Sequence, residues 1–302
     1  IKQISEPHLH GEGPHWSINE QALYYVDIAR FTIHRYEPNN NNHTSLALNK
    51  PVSVIIPLNA KDKFVIGYGK SISTLTWDGA SPIYKLEEHV EVDKDKPANR
   101  FNDGKADVLG NLWIGTMGNE KAGVVEMNQG SLYKFSKDCN VRKFISPVSI
   151  SNGIAWNKAN TLMYYIDSPT RRIDVFNFDA NKGNISNRRV LFDFEKNGIL
   201  GVPDGMTIDN NDNLWIACWG GSKVIQVSGR GKLLRSIELP VERVTSVAFG
   251  GNNLSTLYVT TMKAGLSSEK QSRQPNAGAL FAIEHLGITG TPSKPIKIEC
   301  LY

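Results

Sequence analysis

Oxygen-bearing side chains recur at the same place in a repeated phrase of the sequence. The phrase is a short apolar stretch, a polar turn and a second apolar stretch, and its six copies begin at Glu12, Val54, Asn102, Asn152, Asp204 and Ser246. Five of these six side chains carry oxygen, and two of them are carboxylates. Two carboxylates with an amide carbonyl form the oxygen-only ligand set that Ca²⁺, Mg²⁺ or Mn²⁺ prefers. Zn²⁺ is a further candidate, although it normally brings a His or Cys ligand. The pattern therefore favours one divalent metal ion, Ca²⁺ first, if the fold brings the copies together.

The repeat itself predicts the fold. Successive copies start about 42 to 52 residues apart, and each pairs two strands rich in β-branched and aromatic residues. Further short strands such as SLYKF and IDVFNF fill the rest of each period, and no segment of useful length has helical periodicity. Four strands per period are typical of a propeller blade. We therefore predict an all-β, six-bladed β-propeller with four-stranded blades, spanning residues 1–302 as a single domain.

Propeller geometry would bring distant residues together. The first strand of each blade lines the central channel, so Glu12, Asn152 and Asp204 would converge from blades one, four and five. Glycines beside these residues would let the backbone approach a ligand closely. The alternative is a hydrated channel lined by polar residues that bind no ion, because Asn-Gly and Asp-Gly are also ordinary turn signals.

The ends of the chain are expected to close the ring. Both IKQIS at the N-terminus and PIKIECL near the C-terminus read as strands. We predict that they share the last blade, which would leave no exposed sheet edge there.

Composition narrows the partners and the setting. The net charge is +4 and the basic residues are scattered, which argues against a nucleic-acid surface. No apolar run is long enough for a membrane span. Cys139, Cys218 and Cys300 are expected to be reduced thiols, which favours a cytoplasmic setting. Secretion stays open because the sequence begins with Ile1. The expected partner is a small-molecule substrate, and the expected state is a monomer or weak dimer.

Several motifs carry a resemblance to a known family. The chain resembles the regucalcin, gluconolactonase and luciferin-regenerating enzyme family in the ordered motifs GEGPHW, RFNDGKAD, SNGIAW, MYYIDS and PDGMTID. The phrases ISNRR and VTSVAFGGNNL are most similar to the insect luciferin-regenerating branch. This resemblance implies a metal-dependent hydrolase of a lactone or related ester. It implies metal ligands at Glu12, Asn152 and Asp204 and substrate contacts at Arg100, Asn102 and Glu120.

The implied chemistry assigns roles to several residues. A lactone hydrolase must polarise a carbonyl, activate water and stabilise an oxyanion, and a divalent ion assists each step. Asp204 would serve as ligand and general base, with Asp103 as the second candidate. Arg100 would hold substrate oxygens, and Asn102 would orient a hydroxyl or the ring oxygen. The alternatives are a surface salt bridge for Arg100 and an Asx-turn acceptor for Asp103.

The pocket wall follows from the hairpin geometry. Second strands return to the face that carries the metal, so Met117, Asp167, Trp219 and Met262 would wall the pocket, with segments 118–129 and 263–277 as lids. Trp219 would suit an aromatic or apolar substrate; the alternative is that it packs between blades. Two other functions stay open: a calcium- or small-ligand-binding propeller without turnover, and a scaffold that binds a protein through an apolar face.

Overall fold

The chain folds into six four-stranded antiparallel sheets. The structure is a computed structural model that describes residues 1–121 and 123–301. The N-terminal strand is β1 (Lys2–Gln3). The strands of blade one are β2 (Gly11–Ser17), β3 (Ala22–Asp27), β4 (Thr32–Glu37) and β5 (Asn42–Ala47). Those of blade two are β6 (Val52–Pro57), β7 (Lys63–Tyr68), β8 (Ser71–Thr76) and β9 (Lys85–Glu91).

Blade three contains a small additional hairpin. Its strands are β10 (Arg100–Ala106), β11 (Leu112–Met117), β14 (Gly130–Phe135) and β15 (Val141–Val148), and the added hairpin is β12 (Glu120–Lys121) with β13 (Val124–Val125). Blade four consists of β16 (Ser151–Trp156), β17 (Leu162–Asp167), β18 (Arg172–Asp179) and β19 (Asn184–Asp193). Blade five consists of β20 (Val202–Ile208), β21 (Leu214–Trp219), β22 (Lys223–Val227) and β23 (Leu233–Glu238).

The sixth blade closes the ring. It contains β24 (Val244–Gly250), β25 (Thr256–Thr261) and β26 (Phe281–Ile283), and β1 pairs with β26 as its outermost strand. The first strand of each repeat is the innermost strand of its blade, and each contacts the corresponding strand of the next blade around the axis. The prediction of a six-bladed propeller is confirmed.

Apolar packing between the blades holds the ring together. One buried cluster lies at each of the six junctions between neighbouring blades. The junction of blades six and one is built from Trp16, whose ring stacks on Tyr258 at 5.8 Å, together with Leu23, Tyr25, Tyr36 and Leu280. The second strands are buried on both faces, as LWIGTM illustrates, because each blade is covered by a neighbour on either side.

The prediction that both chain ends share the last blade is confirmed for the N-terminus and wrong for the C-terminus. The N-terminal strand lies in the last blade, but PIKIECL forms no strand there. The edge of β26 is already occupied by β1, so the C-terminal segment crosses the ring instead. Ile296 forms a parallel bridge with Leu58, and the backbone amide of Lys297 donates to the carbonyl of Gly110 at 3.0 Å. The apolar side chains of this segment pack between blades two and three, where Val54, Phe101 and Phe135 also lie.

The prediction of three reduced thiols is wrong for two of them. Cys139, in the turn between β14 and β15, forms a disulfide with Cys300, 161 residues further along the chain. The segment that crosses the ring ends beside blade three, which brings the two cysteines together. Cys218 remains a buried free thiol.

Helices are few and short. The α-helix Ser268–Arg273 has six residues, and Ser267 caps its N-terminus. Three 3₁₀ turns cover Ile28–Arg30, Ser168–Thr170 and Glu299–Leu301. Within the described part of the chain, no helix is long and apolar enough to cross a bilayer.

Candidate metal centre

A β-bulge positions each candidate ligand. All six inner strands shift register against their partners, and the shifts fall at Glu12/His15, Val52/Ile55, Phe101/Gly104, Ser151/Ile154, Pro203/Met206 and Val244/Ser246. A bulge re-aims side chains locally, and such features are frequent near active sites. Glu12, Asn152 and Asp204 all lie at these bulges. The repeat therefore encodes a distortion as well as a strand.

Two glycines show how closely the inner strands approach. Gly13 has φ of +54°, and a Cβ there would lie 2.8 Å from the carbonyl oxygen of Ser53 in blade two. A Cβ on Gly153 would lie 2.8 Å from the carbonyl oxygen of Asp204. The motifs GEGPHW and SNGIAW therefore need glycine to let neighbouring blades meet around the candidate ligands.

Three buried carboxyl groups influence one another near the axis. Glu12, Asp103 and Asp204 are only 4%, 8% and 7% exposed. Burial and the neighbouring Asp103 raise the pKa of Glu12 to about 8. Burial, Glu12 and Asp103 together raise the pKa of Asp204 well above its ordinary value. Burial also raises the pKa of Asp103, although Lys105 opposes this shift. The cluster has an excess of negative charge whenever its carboxyl groups are ionised.

These carboxyl groups receive few hydrogen bonds. Glu12 accepts one from the amide of Gly13 at 2.8 Å, and Asp103 accepts one from the amide of Gly104 at 2.7 Å. Asp204 is stabilised by the Asn152 side chain and the Gly205 amide. An ionised carboxylate offers about four acceptor sites. Most of those sites at the axis are therefore available to a cation.

Asn152 contains an orphaned acceptor. Its Nδ2 donates to Ser168 Oγ at 2.8 Å, but its Oδ1 is buried and has no hydrogen-bond partner. Such a group costs about 1–3 kcal/mol when it is left unsatisfied. A cation at this oxygen would remove that cost and neutralise the carboxylates. The donor set of Glu12, Asn152 and Asp204 therefore fits a hard divalent cation with positions left for water or substrate.

Arg100 and Asn102 form a connected pair at the edge of the cluster. Arg100 Nη1 donates to Asn102 Oδ1 at 2.9 Å, and Asn102 Nδ2 donates to the carbonyl of Ser151 at 2.8 Å. Burial lowers the pKa of Arg100, against the charges of Glu120, Glu12 and Asp204. Arg100 therefore lies within the field of the carboxylates and forms no surface salt bridge in the described structure. Glu120 is exposed on β12 and reaches the same field.

The residues expected to wall the pocket differ in how far they are exposed and in which contacts they make. Trp219 is half-buried at the end of β21, and the Arg243 guanidinium lies 4.9 Å from its ring centre. Met117 and Met262 are buried. The carboxylate of Asp167 accepts hydrogen bonds from the backbone amides of Ser149 and Ile150. Segment 118–129 contains the β12–β13 hairpin, apart from Ala122, which lies outside the described residues, and segment 263–277 contains the short helix.

The sequence reasoning missed Lys105. This lysine is on β10, two residues after Asp103, and its Nζ donates to the carbonyl of Met206 at 2.7 Å. Burial lowers its pKa, while Asp103 opposes the shift. A cavity of about 20 Å³, which is room for one water molecule, is lined by residues that include His15, Asp103, Lys105 and Ser293. The alternation of a strand would have placed Lys105 on the same side as Asp103.

Comparison with known proteins places these features in a family context. Residues 10–263 match the SMP-30/Gluconolactonase/LRE-like region. Human regucalcin is 38% identical over 282 residues, covering 93% of this chain and 92% of its own. The structure of a luciferin-regenerating enzyme superposes with a TM-score of 0.92 at 40% identity, covering 98% of this chain and 99% of its own. A calcium-binding regucalcin from Agrobacterium tumefaciens superposes with a TM-score of 0.88 at 28% identity, covering 98% and 96%.

Proposed function

Because the chain belongs to the SMP-30/gluconolactonase/LRE-like family, we propose that it is a divalent-metal-dependent hydrolase of a small-molecule lactone or related ester. One observation carries the proposal: the buried Oδ1 of Asn152 has no hydrogen-bond partner and belongs to a cluster of under-satisfied carboxyl groups. Buried, strongly perturbed carboxyl groups of this kind cluster at functional sites. Glu12, Asn152 and Asp204 would hold the ion.

The ion and the protein would divide the chemistry. When bound, a divalent ion polarises a carbonyl and lowers the pKa of nearby water. Asp204 would accept a proton from the attacking water, because its buried carboxylate would lie beside the ion and is stabilised only by the Asn152 side chain and the Gly205 amide among its described neighbours. A positioned base of this kind contributes about 10²–10⁴-fold to the rate. Asp103 is the second candidate base, since its carboxylate accepts only the Gly104 amide.

Substrate contacts would come from the rim. Arg100 would bind the oxygens of the lactone, and Asn102 fixes the guanidinium through the 2.9 Å hydrogen bond between them. Glu120, on the β12–β13 hairpin, would contact a hydroxyl of the substrate. Trp219 and Met117 would provide apolar parts of the pocket wall. A half-buried indole favours an aromatic or apolar substrate over a small sugar acid, in keeping with the likeness to a luciferin-regenerating enzyme.

The test combines metal removal with a matched pair of variants. Chelator-stripped protein is reloaded with Ca²⁺, Mg²⁺, Mn²⁺ or Zn²⁺ and offered sugar lactones, aromatic lactones and simple esters. Hydrolysis should require metal, and Asn152→Ala should abolish both metal binding and hydrolysis. Asn177→Ala, an exposed position on the same blade, should change neither. Equal hydrolysis by stripped protein, or by Asn152→Ala, would refute the metal-dependent enzyme.

A binding protein without turnover is the second candidate. The relative from Agrobacterium tumefaciens is described as a calcium-binding protein, and the same oxygen ligands suit Ca²⁺. Stoichiometric Ca²⁺ binding through Glu12 and Asp204, with no hydrolysis of any substrate in the panel, would favour this function.

The compartment is proposed separately. A cytoplasmic setting, expected from the sequence, would hold Cys139 and Cys300 as thiols, whereas secretion would preserve their disulfide. Mass spectrometry of alkylated native protein distinguishes the two. Three free thiols indicate the cytoplasm, and Cys218 as the single free thiol indicates an oxidising compartment.

A further inference from the structure

A second cluster of ligand-type side chains lies at the seam of the ring. The chain leaves β1 in blade six and crosses to blade one, and His8 lies on this crossing. Asp27 ends β3 and His34 is on β4, both in blade one. One ligand atom from each of these three residues lies within 4.8 Å of the other two. We call His8, Asp27 and His34 the seam cluster.

Both imidazoles are largely buried, which disfavours their protonated form. Burial lowers the pKa of His8 to about 4 and the pKa of His34 to about 3. A neutral imidazole has one nitrogen whose lone pair can bind a metal ion. His34 Nε2 is buried and has no hydrogen-bond partner. His8 Nε2 lies 2.9 Å from the hydroxyl of Tyr25 and 3.2 Å from that of Ser5, which leaves Nδ1 as the ring nitrogen without a described partner. The ring centres of His8 and His34 are 4.1 Å apart.

The carboxylate of Asp27 is fixed but not saturated. It is fully buried and accepts the amides of Leu9, His10 and Arg30 at 2.9, 3.1 and 3.2 Å. These bonds use about three of its four acceptor sites. Backbone amides therefore hold the carboxylate beside the imidazoles. The half-exposed Arg30 side chain forms an ion pair with it, but its Nε is 4.0 Å from Oδ2, too far for a hydrogen bond, so one acceptor direction is left for a further partner.

The cluster opens onto a cavity. A cavity of about 590 Å³ is lined by residues that include His8, His34, His43 and Tyr25. Two imidazole nitrogens and one carboxylate oxygen are a ligand set typical of Zn²⁺ sites that keep an open fourth position. The cavity leaves room for that fourth ligand. This set contrasts with the oxygen-only ligands at the axis, so the two sites would select different ions.

We propose that His8, Asp27 and His34 bind one transition-metal ion of the Zn²⁺ class at the seam between blades six and one. The ion joins the crossing segment, which carries the ring-closing strand β1, to β3 and β4 of blade one. Binding to the folded state alone stabilises a protein in proportion to the logarithm of ligand concentration over Kd. Zn²⁺ therefore acts here as a staple across the ring closure, independently of hydrolysis at the axis.

Cobalt titration tests the site. Co²⁺ bound tetrahedrally by imidazoles gives visible ligand-field absorption, which we expect from chelator-stripped wild-type protein and expect Zn²⁺ to abolish by displacement. His34→Gln and His8→Gln should each weaken Co²⁺ binding by roughly 100-fold or more. His89→Gln, an exposed histidine on β9, is the matched control and should bind as wild type does. Glu12→Gln should retain the absorption, which separates this site from the axis.

Stability provides a second readout. In the Glu12→Gln background, which removes an axial ligand, Zn²⁺ should raise the Tm of protein with the seam cluster intact and of the added His89→Gln variant, but not of the added His34→Gln variant. Circular dichroism of the stripped variants tests whether they are folded. If a variant fails to fold, anomalous diffraction at the zinc edge from wild-type crystals decides the question. A peak beside His8 and His34 supports the site. No peak there, or Co²⁺ absorption unchanged in both histidine variants, overturns the proposal.

Discussion

The inner strands β10 and β20 each contain a buried carboxylate of the axial cluster, and each is followed directly by a second buried carboxylate, Asp107 or Asp209, at the other end of the strand. The two ends differ in how many hydrogen bonds the carboxylates receive. Asp103 and Asp204 receive few hydrogen bonds. Asp107 accepts four, from the amides of Leu109 and Asn111, the Asn111 side chain and the Trp113 indole. Asp209 is saturated in the same way, with donors that include the indole of Trp215 at 3.0 Å.

This difference in hydrogen bonding distinguishes carboxylates with a structural role from carboxylates that are available to bind a ligand. A buried carboxylate that receives four donors fixes a turn and needs no ligand. A buried carboxylate that receives one or two carries a cost that a bound cation can offset. We call the two regions the open end, with Glu12, Asp103, Asn152 and Asp204, and the closed end, with Asp107, Asp209 and segment 290–301.

The closed end is also covered by the chain itself. Gly290 pairs with Asp209, and Ile296 pairs with Leu58 on the other side of the ring. The disulfide between Cys139 and Cys300 then fixes the end of this segment to blade three. We therefore expect changes at the open end to affect activity and changes at the closed end to affect stability.

The largest effect is expected for Asp204→Asn. Loss of a general base and metal ligand should lower kcat/KM by about 10²–10⁴-fold. The metal-free variant should be at least as stable as wild type, because a repelled, buried carboxylate is removed. Lactone hydrolysis and thermal unfolding measure the two effects. Unchanged hydrolysis with metal still bound would remove Asp204 as the base.

The double variant Cys139→Ser with Cys300→Ser tests the covalent closure. Without the cross-link, the free energy of unfolding should fall by about 2–5 kcal/mol, because the disulfide restricts the unfolded chain over a long loop. Hydrolysis at moderate temperature should be unchanged. Urea unfolding with and without dithiothreitol measures the effect, and the reductant should not alter the double variant. Equal stability of the two proteins would show that the segment is held without its disulfide.

Asp209→Asn is the closed-end partner of the first variant. It should lower the free energy of unfolding by about 1–3 kcal/mol, since one amide oxygen and one amide nitrogen cannot accept the same set of donors. The kcat/KM of the folded variant should stay within a factor of two or so of wild type. A large loss of activity with normal stability would break the distinction between the two ends.

The pH dependence of metal-free stability tests the electrostatic cost of the open end. Burial and Asp103 raise the pKa of Glu12 to about 8 in the folded protein, above its ordinary value near 4.5. Between these values the folded state binds more protons than the unfolded state, so stability should fall as pH rises from about 5 to 8. Metal-loaded protein should lose less stability over this range. Glu12→Gln should flatten the metal-free profile, and an identical slope in that variant would contradict the assignment.

The sequence predicts those features that the repeat encodes locally. The six inner strands lie where the repeated phrase begins, and the candidate ligands Glu12, Asn152 and Asp204 occupy equivalent positions of that phrase, at the bulges. Lys105 was within reach of the same reasoning, because it follows Asp103 by two strand positions.

Other features depend on contacts between distant segments. The C-terminal segment reads as a strand from its apolar alternation, but β1 already occupies the edge that it would have needed. Cys139 and Cys300 are 161 residues apart, and only the path of that segment brings them together. His8, Asp27 and His34 share no spacing motif either, and they meet because the chain crosses from blade six to blade one.

The central claim is that Glu12, Asn152 and Asp204 hold one divalent cation at the open end. The most direct test is an anomalous difference map from crystals of this protein soaked in Mn²⁺ after chelator treatment. We predict a single strong peak within coordination distance of both carboxylates and of the Asn152 Oδ1. A map without density among these three oxygens, or side chains that remain turned apart at saturating Mn²⁺, would contradict the account.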